Sequence, residues 1–248
     1  MITSGKGGVG KTTISVNVGI ALAQAGVRTI LFDADLQLAN IDVMLRLQPE
    51  FSLQHVVARQ KTLTEILCPG PEGLLVIGGG SAIPSLMAAG PKRMSLFAEQ
   101  IDELSSVADC LIFDTGAGLD NRVMAFCQMA DEIIIVTTPD PASVTDAYAT
   151  IKVASKKIDP KPIRVVVNMA SGPEEANYIF STLAGITKRF LDIDIAYLGF
   201  VTANPEIVLC NRKRTSFILS APNLECTDQI REVALEMHPP SKQTRRVA

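Results

Sequence analysis

The octet Gly5-Lys6-Gly7-Gly8-Val9-Gly10-Lys11-Thr12 fits the pattern G-x-x-x-x-G-K-[ST] and constrains the fold more than any other stretch. Glycines let the backbone turn its N–H groups inward around an anion without Cβ obstruction. Lys11 can reach the β- and γ-phosphates of a nucleotide, and the Thr12 hydroxyl can ligate Mg²⁺. Thr12 and Thr13 open an apolar helical stretch, read as amphipathic, whose positive N-terminus points at the same phosphates. Such a loop works between a buried strand and a helix, so the octet calls for an open α/β sheet. Only Met1–Ser4 precede the loop. Central strands usually run to about five or six residues. Either residues upstream complete this strand, or four suffice.

The rest of the chain agrees with that architecture. Arg28–Asp33, Leu74–Ile77, Asp109–Asp114, Asp131–Thr138, Ile163–Asn168 and Ile193–Phe200 read as buried strands. They are continuous apolar runs, as parallel strands covered on both faces require. Helical patterns lie between them at Lys11–Ala25, Lys92–Val107, Leu119–Met129, Ser143–Lys157, Glu174–Phe190 and Asn223–Met237. The expected fold class is α/β, a doubly wound, mostly parallel sheet flanked by helices. One phosphate-loop domain is expected over residues 1–238, with a loose tail at 239–248 carrying two prolines and three basic residues.

Composition excludes several classes. Lys+Arg is 23 and Asp+Glu is 26, a net charge of −3, which argues against a general nucleic-acid coat or polybasic membrane binder. With 47% apolar and 20% charged residues, the chain has material for a large core and too little charge for disorder. Apolar runs such as Ile133–Val136 are far too short to span a bilayer. No secretory leader is read at the N-terminus. The five cysteines, Cys68, Cys110, Cys127, Cys210 and Cys226, form no C-x-x-C pair, so a reducing cytoplasm is expected.

Phosphoryl transfer needs a held Mg²⁺ and an aligned water. Asp114 ends an apolar strand and opens Asp114-Thr115-Gly116-Ala117-Gly118, where a carboxylate faces the ligand crevice and can hold the hydrated metal. The plainer alternative is a cap on the following helix. Asp33-Ala34-Asp35 ends another strand, and Asp33 suits the metal shell or the loop that follows. Asn168 ends the strand Ile163–Asn168. A guanine-selecting N-K-x-D would need an acid at position 171, which is Ser171, so ATP is favoured over GTP.

The octet with its second lysine, KGGVGKTT, resembles the deviant phosphate loop of the MinD/ParA-type P-loop ATPases. That resemblance implies that Lys6 reaches across a dimer interface to the partner's nucleotide. It implies that Asp35 sits beside the attacking water, giving Lys6, Lys11 and Asp35 as catalytic candidates. Asn168 and the loop proline Pro205 are placed against adenine, although Thr202 and Ala203 depart from the commoner I-P-x-D wording. Thr12, Asp33 and Asp114 remain the metal candidates. The stretches DADLQLANIDVML, DTGAGL and VTTPDPASVTDAY look like the flagellar-number regulators FlhG and FleN, which are MinD-like. The implied protein is a slow, nucleotide-switched ATPase that dimerises around Mg²⁺-ATP. Implied partners are a signal-recognition-type GTPase (FlhF), flagellar switch-complex proteins or a flagellar transcription activator.

Two features depart from that branch. Its members usually carry an N-terminal extension, and nothing precedes Met1 here. They also end in a basic amphipathic helix, whereas the last helix here carries Glu225, Asp228, Glu232 and Glu236 against Arg231. Anionic lipid would repel that polar face, so Ile230, Val233, Ala234 and Met237 read as core, and membrane binding is expected to be weak or absent. Location is expected to be cytoplasmic, with peripheral contact at the inner membrane face left open. Rival readings are a partition ATPase of the ParA type, a MinD-like division-site ATPase and an ATP-dependent metabolic ligase. DNA binding is disfavoured, because Arg212-Lys213-Arg214 is the only three-residue basic run and reads as a solvated face.

Overall fold

In the computed structural model, which describes residues 1–35, 41–79, 90–118 and 121–238, the apolar runs pair into a sheet of eight strands among the described residues. These are β1 (Ile2–Ser4), β2 (Thr29–Ala34), β3 (Cys68–Pro69), β4 (Leu75–Ile77), β5 (Cys110–Ala117), β6 (Ile133–Thr137), β7 (Ile163–Ala170) and β8 (Ala196–Thr202). Their order across the sheet is β3-β4-β2-β5-β1-β6-β7-β8. Every pairing is parallel except β3 with β4 at one edge. That antiparallel edge has no counterpart in the sequence reading, because Cys68-Pro69 is too short and too polar in context to signal a strand.

The helices are α1 (Lys11–Gln24), α2 (Ile41–Leu45), α3 (Leu53–Val57), α4 (Pro91–Glu103), α5 (Asn121–Met129), α6 (Pro141–Lys157), α7 (Pro173–Leu191), α8 (Pro205–Arg212), α9 (Phe217–Ser220) and α10 (Glu225–Met237). They cover both faces of the sheet. On one face Phe32 packs against Phe97, Phe113 and Phe126 at ring separations of 6.2, 5.6 and 5.7 Å. On the other, Ile2, Ile14, Val16, Ile134 and Val166 join Cys226, Ile230, Val233 and Ala234 of α10. The acidic last helix therefore spends its apolar stripe on the core, as its polar face suggested.

One expectation fails at α1. It is not amphipathic: residues 13–22 are buried without a break, because the sheet lies on one side and α9 and α10 on the other. Buried Asn17 shows how tightly it is enclosed. Its Nδ2 donates to Thr13 O at 2.8 Å, and its Oδ1 accepts from Ile218 N at 3.0 Å.

β1 spans only three residues, yet it pairs with β5 on one side and β6 on the other. Beyond it, Gly118 N donates to Ser4 O at 2.7 Å, so the ladder continues into the loop. β5 and β7 likewise outrun their apolar stretches. Thr115 stays in register with Ala34, and Ala170 with Thr202, so backbone pairing carries both strands into polar sequence. The order reverses at β1, and the carboxyl ends of β1, β2, β5, β7 and β8 open on the same edge. The expected start of α5 at Leu119, the segment Leu36–Asn40 and the tail Pro239–Ala248 lie outside the described residues.

Candidate nucleotide site

The phosphate loop leaves β1 and closes on α1. Gly8 and Gly10 take φ of 82° and 85°, the left-handed region where glycine is at ease. Gly10 is also the N-cap of α1 and supplies no side-chain cap, which leaves the first-turn N–H groups for an anion. Gly5 is fixed by a different constraint: a Cβ there would overlap the backbone of Asp146 on α6.

At the floor, β5 delivers Asp114, which is 1% exposed. Its Oδ1 accepts from Ser15 Oγ at 2.9 Å and lies 3.7 Å from Lys11 Nζ. Its Oδ2 is buried and has no hydrogen-bond partner. Burial raises the Asp114 pKa, while the Lys11 charge and hydrogen bonds from Thr12 and Ser15 pull it back down. A buried carboxylate oxygen with an open lone pair, beside a threonine hydroxyl, suits a hard cation that completes its shell with phosphate and water. Among the described residues no group of three or more His, Cys, Asp or Glu converges to form an all-protein cage.

Asp33, buried at the end of β2, uses its carboxylate on the backbone that follows. Oδ1 accepts from Asp35 N at 3.1 Å and Oδ2 from Ile41 N at 3.2 Å. These bonds tie the Asp35 turn to the start of α2. Asp35 reaches the cleft itself, and a Cβ on Gly116 would lie 3.6 Å from its Oδ1. Asp35 and the Asp114–Gly118 loop thus face one another across the strand ends.

Lys6 points elsewhere. Its Nζ pairs with Asp140 Oδ2 at 2.5 Å, and both side chains are roughly half exposed at 43% and 46%. Asp140 is the N-cap of α6, and its Oδ1 accepts from Ala142 N at 3.0 Å. The bond raises the Lys6 pKa and lowers that of Asp140. Lys6 therefore rests at the rim while Lys11 is buried beside Asp114.

The cleft continues past the loop into a cavity of about 1060 Å³ lined by Asn168, Met169, Pro205, Ile207, Val208 and Asn211 as well as the phosphate loop. Asn168 Nδ2 donates to Val9 O at 2.8 Å, bracing the base side against the loop. Pro205 takes the first turn of α8 after Asn204, whose Oδ1 accepts from Glu206 N at 2.9 Å. Asn211 Nδ2 donates to Thr13 Oγ1 at 3.1 Å and ties α8 to α1. The stretch Val201–Ile207, expected from the resemblance to wall the base, contributes Thr202 to Pro205 and Ile207 to this lining. Met169, Val208 and Asn211 lie outside the sequence-based expectation, although Asn204-Pro205 is a readable helix start that places the last two on one short helix.

The chain has relatives in sequence and in fold. Residues 1–238 match the ParA family described as NUBPL iron-transfer P-loop NTPases. The chain belongs to the ParA/MinD family of P-loop ATPases. It is 35% identical over 233 residues to the antiactivator FleN of Pseudomonas aeruginosa, covering 94% of this chain and 83% of that one. It is 35% identical over 235 residues to the flagellum site-determining protein YlxH of Helicobacter pylori, covering 94% and 79%. Its fold resembles that of MinD complexed with Mg-ADP from Pyrococcus horikoshii, with a TM-score of 0.77 and 24% identity over 96% of this chain and 94% of that one. The mostly parallel sheet flanked by helices described above is the fold of that solved structure. Among the described residues no helix is long and apolar enough to cross a membrane.

Proposed function

We propose that this ATPase is a nucleotide-switched homodimer that sets flagellar number or placement by binding partner proteins in one nucleotide state. The observation that carries the switch is the division of labour between its two loop lysines. Lys11 lies at the floor with Asp114, where it serves the phosphates of its own subunit. Lys6 is held at the rim by Asp140 and is exposed. It can turn outward once that pair opens, to reach a nucleotide in a second copy. The flagellar target is supported by likeness to FleN and YlxH, since fold and site do not choose a biological target.

Each residue has a role in this reading. Loop N–H groups and Lys11 hold the β- and γ-phosphates, with Gly5, Gly7, Gly8, Val9 and Gly10 shaping the cradle and Thr13 bracing it. Thr12 and Asp114 would hold Mg²⁺, which when bound would neutralise charge developing on the phosphate oxygens. Asp35 orients the attacking water, and Asp33 positions the Asp35 turn by accepting from Asp35 N and Ile41 N, at the edge of the metal shell. Asn168, with Nδ2 turned to Val9, has its carbonyl oxygen on the far side of the amide, an acceptor matched to the amino group of adenine. Pro205 forms the opposing wall. Hydrolysis is slow because its product is a conformational state. Partners of the FlhF, switch-complex or transcription-activator kind read that state, and neither DNA nor membrane is needed for it.

The Lys6→Ala variant tests the switch. It should bind Mg²⁺-ATP within about threefold of wild type, yet remain monomeric with ATP. Normal ATP dimers in that variant would remove the trans role. For the flagellar target, cells lacking this chain should show altered flagellar counts by electron microscopy; unchanged counts contradict it.

A further inference from the structure

Met169 is the residue of the cleft that ordinary strand geometry does not explain. Successive residues of a strand face opposite sides, so Asn168 and Met169 should not share a cleft. Here the register of β7 with β8 steps from Asn168 opposite Val201 to Ala170 opposite Thr202, and Met169 is the extra residue of a bulge. Its φ is 59°, the left-handed region that a long side chain rarely occupies. That backbone places both side chains at the same opening. Asn168 is braced on Val9, and Met169 Cε would lie 3.5 Å from a Cβ on Gly10. Met169 is nevertheless 46% exposed, so its thioether covers the loop on one side and faces open space on the other. Across that space stand Pro205, Ile207 and Val208 of α8, with Val208 also half exposed. Strained backbone at a cleft is retained where the surrounding structure enforces it, and bulges of this kind re-aim side chains at sites.

We propose that Met169 is a base-binding residue: the strained bulge swings its side chain over the cleft to form one apolar face of a slot, opposed by α8, that grips a purine ring. This rests on the nucleotide reading of the cleft above. A flexible, polarisable thioether suits the flat face of an aromatic ring. The grip reads the face of the ring and not its edge, so it acts alike on ATP and GTP and leaves the choice between them to Asn168.

The test compares ATP, GTP and inorganic tripolyphosphate by calorimetry, each with Mg²⁺, on wild type and on Met169→Leu, Met169→Ala and Met169→Gly. Leu keeps apolar bulk and should bind ATP within about twofold of wild type. Ala and Gly should each lose about tenfold in ATP and GTP affinity and nothing for tripolyphosphate. Gly relieves the left-handed strain that Ala keeps, so Met169→Gly should melt higher than Met169→Ala while binding ATP equally weakly. A merely structural role would make affinity follow stability. ATP affinity unchanged in Met169→Ala, or lost equally for ATP and tripolyphosphate, overturns the proposal. If wild type binds ATP no better than tripolyphosphate, the nucleotide reading itself fails and the slot with it.

Discussion

On the phosphate side of the cleft, Lys11 and Ser15 of the enclosed helix α1 are buried and bonded to the buried Asp114 of β5. On the base side, Met169 and Val208 are half exposed, the strand is bulged, and the wall is a helix of eight residues held by Asn211 and Asn204. The first wall is rigid because its groups sit among packed side chains. The second is a frame of backbone strain and single hydrogen bonds. Under the proposed function, recognition of charge is built in advance, whereas the base slot is completed by the ring that fills it.

The contrast is most easily broken at Lys11. Lys11→Ala removes the buried cation paired with Asp114 and should weaken Mg²⁺-ATP binding at least about 100-fold by calorimetry. A loss under tenfold would mean the loop N–H groups carry the phosphates without it. Gly10→Ala strikes both walls, because the added methyl would overlap Asn168 Nδ2 at a backbone angle that disfavours a side chain. Thermal unfolding should report about 1–3 kcal/mol of lost stability. Asn168→Ala should leave tripolyphosphate binding alone and cut the preference for ATP over GTP about tenfold; an unchanged ratio would mean another group reads the purine edge.

The smallest effect concerns the rim. Lys6 holds Asp140 below the ordinary carboxylate range, so the pair stabilises the fold above the ordinary aspartate pKa of about 3.9. That contribution is lost as pH falls through the lower native pKa of Asp140, and exposure keeps it small. Melting curves of wild type and Asp140→Asn should therefore differ slightly at pH 7 and converge at strongly acid pH. A gap that persists in acid would show that the pair is not its source.

The same contrast sets what the sequence reveals. The phosphate wall is legible because its function needs fixed residue types at fixed spacing: glycines for positive φ at positions 8 and 10, then Lys11 and Thr12. Asp114 and Asp33 are legible as acids ending apolar runs. The bond from Ile41 N to Asp33, eight residues along the chain, has no local signature. Met169 gives no signal, since it falls just past the apolar run that ends at Asn168 and nothing nearby announces a bulge. The complete burial of α1 is hidden for a related reason: Ser15 and Asn17 are polar, and only the fold shows that Ser15 donates to Asp114 and that Asn17 accepts from Ile218 N.

The central claim is that occupancy of this cleft by ATP decides the assembly state. Its most direct test is the light-scattering mass of the Asp35→Ala protein, first with Mg²⁺-ATP and then with Mg²⁺-ADP. The account predicts twice the chain mass of 26.6 kDa with ATP and a single chain with ADP. The same mass under both nucleotides, whether monomer or dimer, would contradict it.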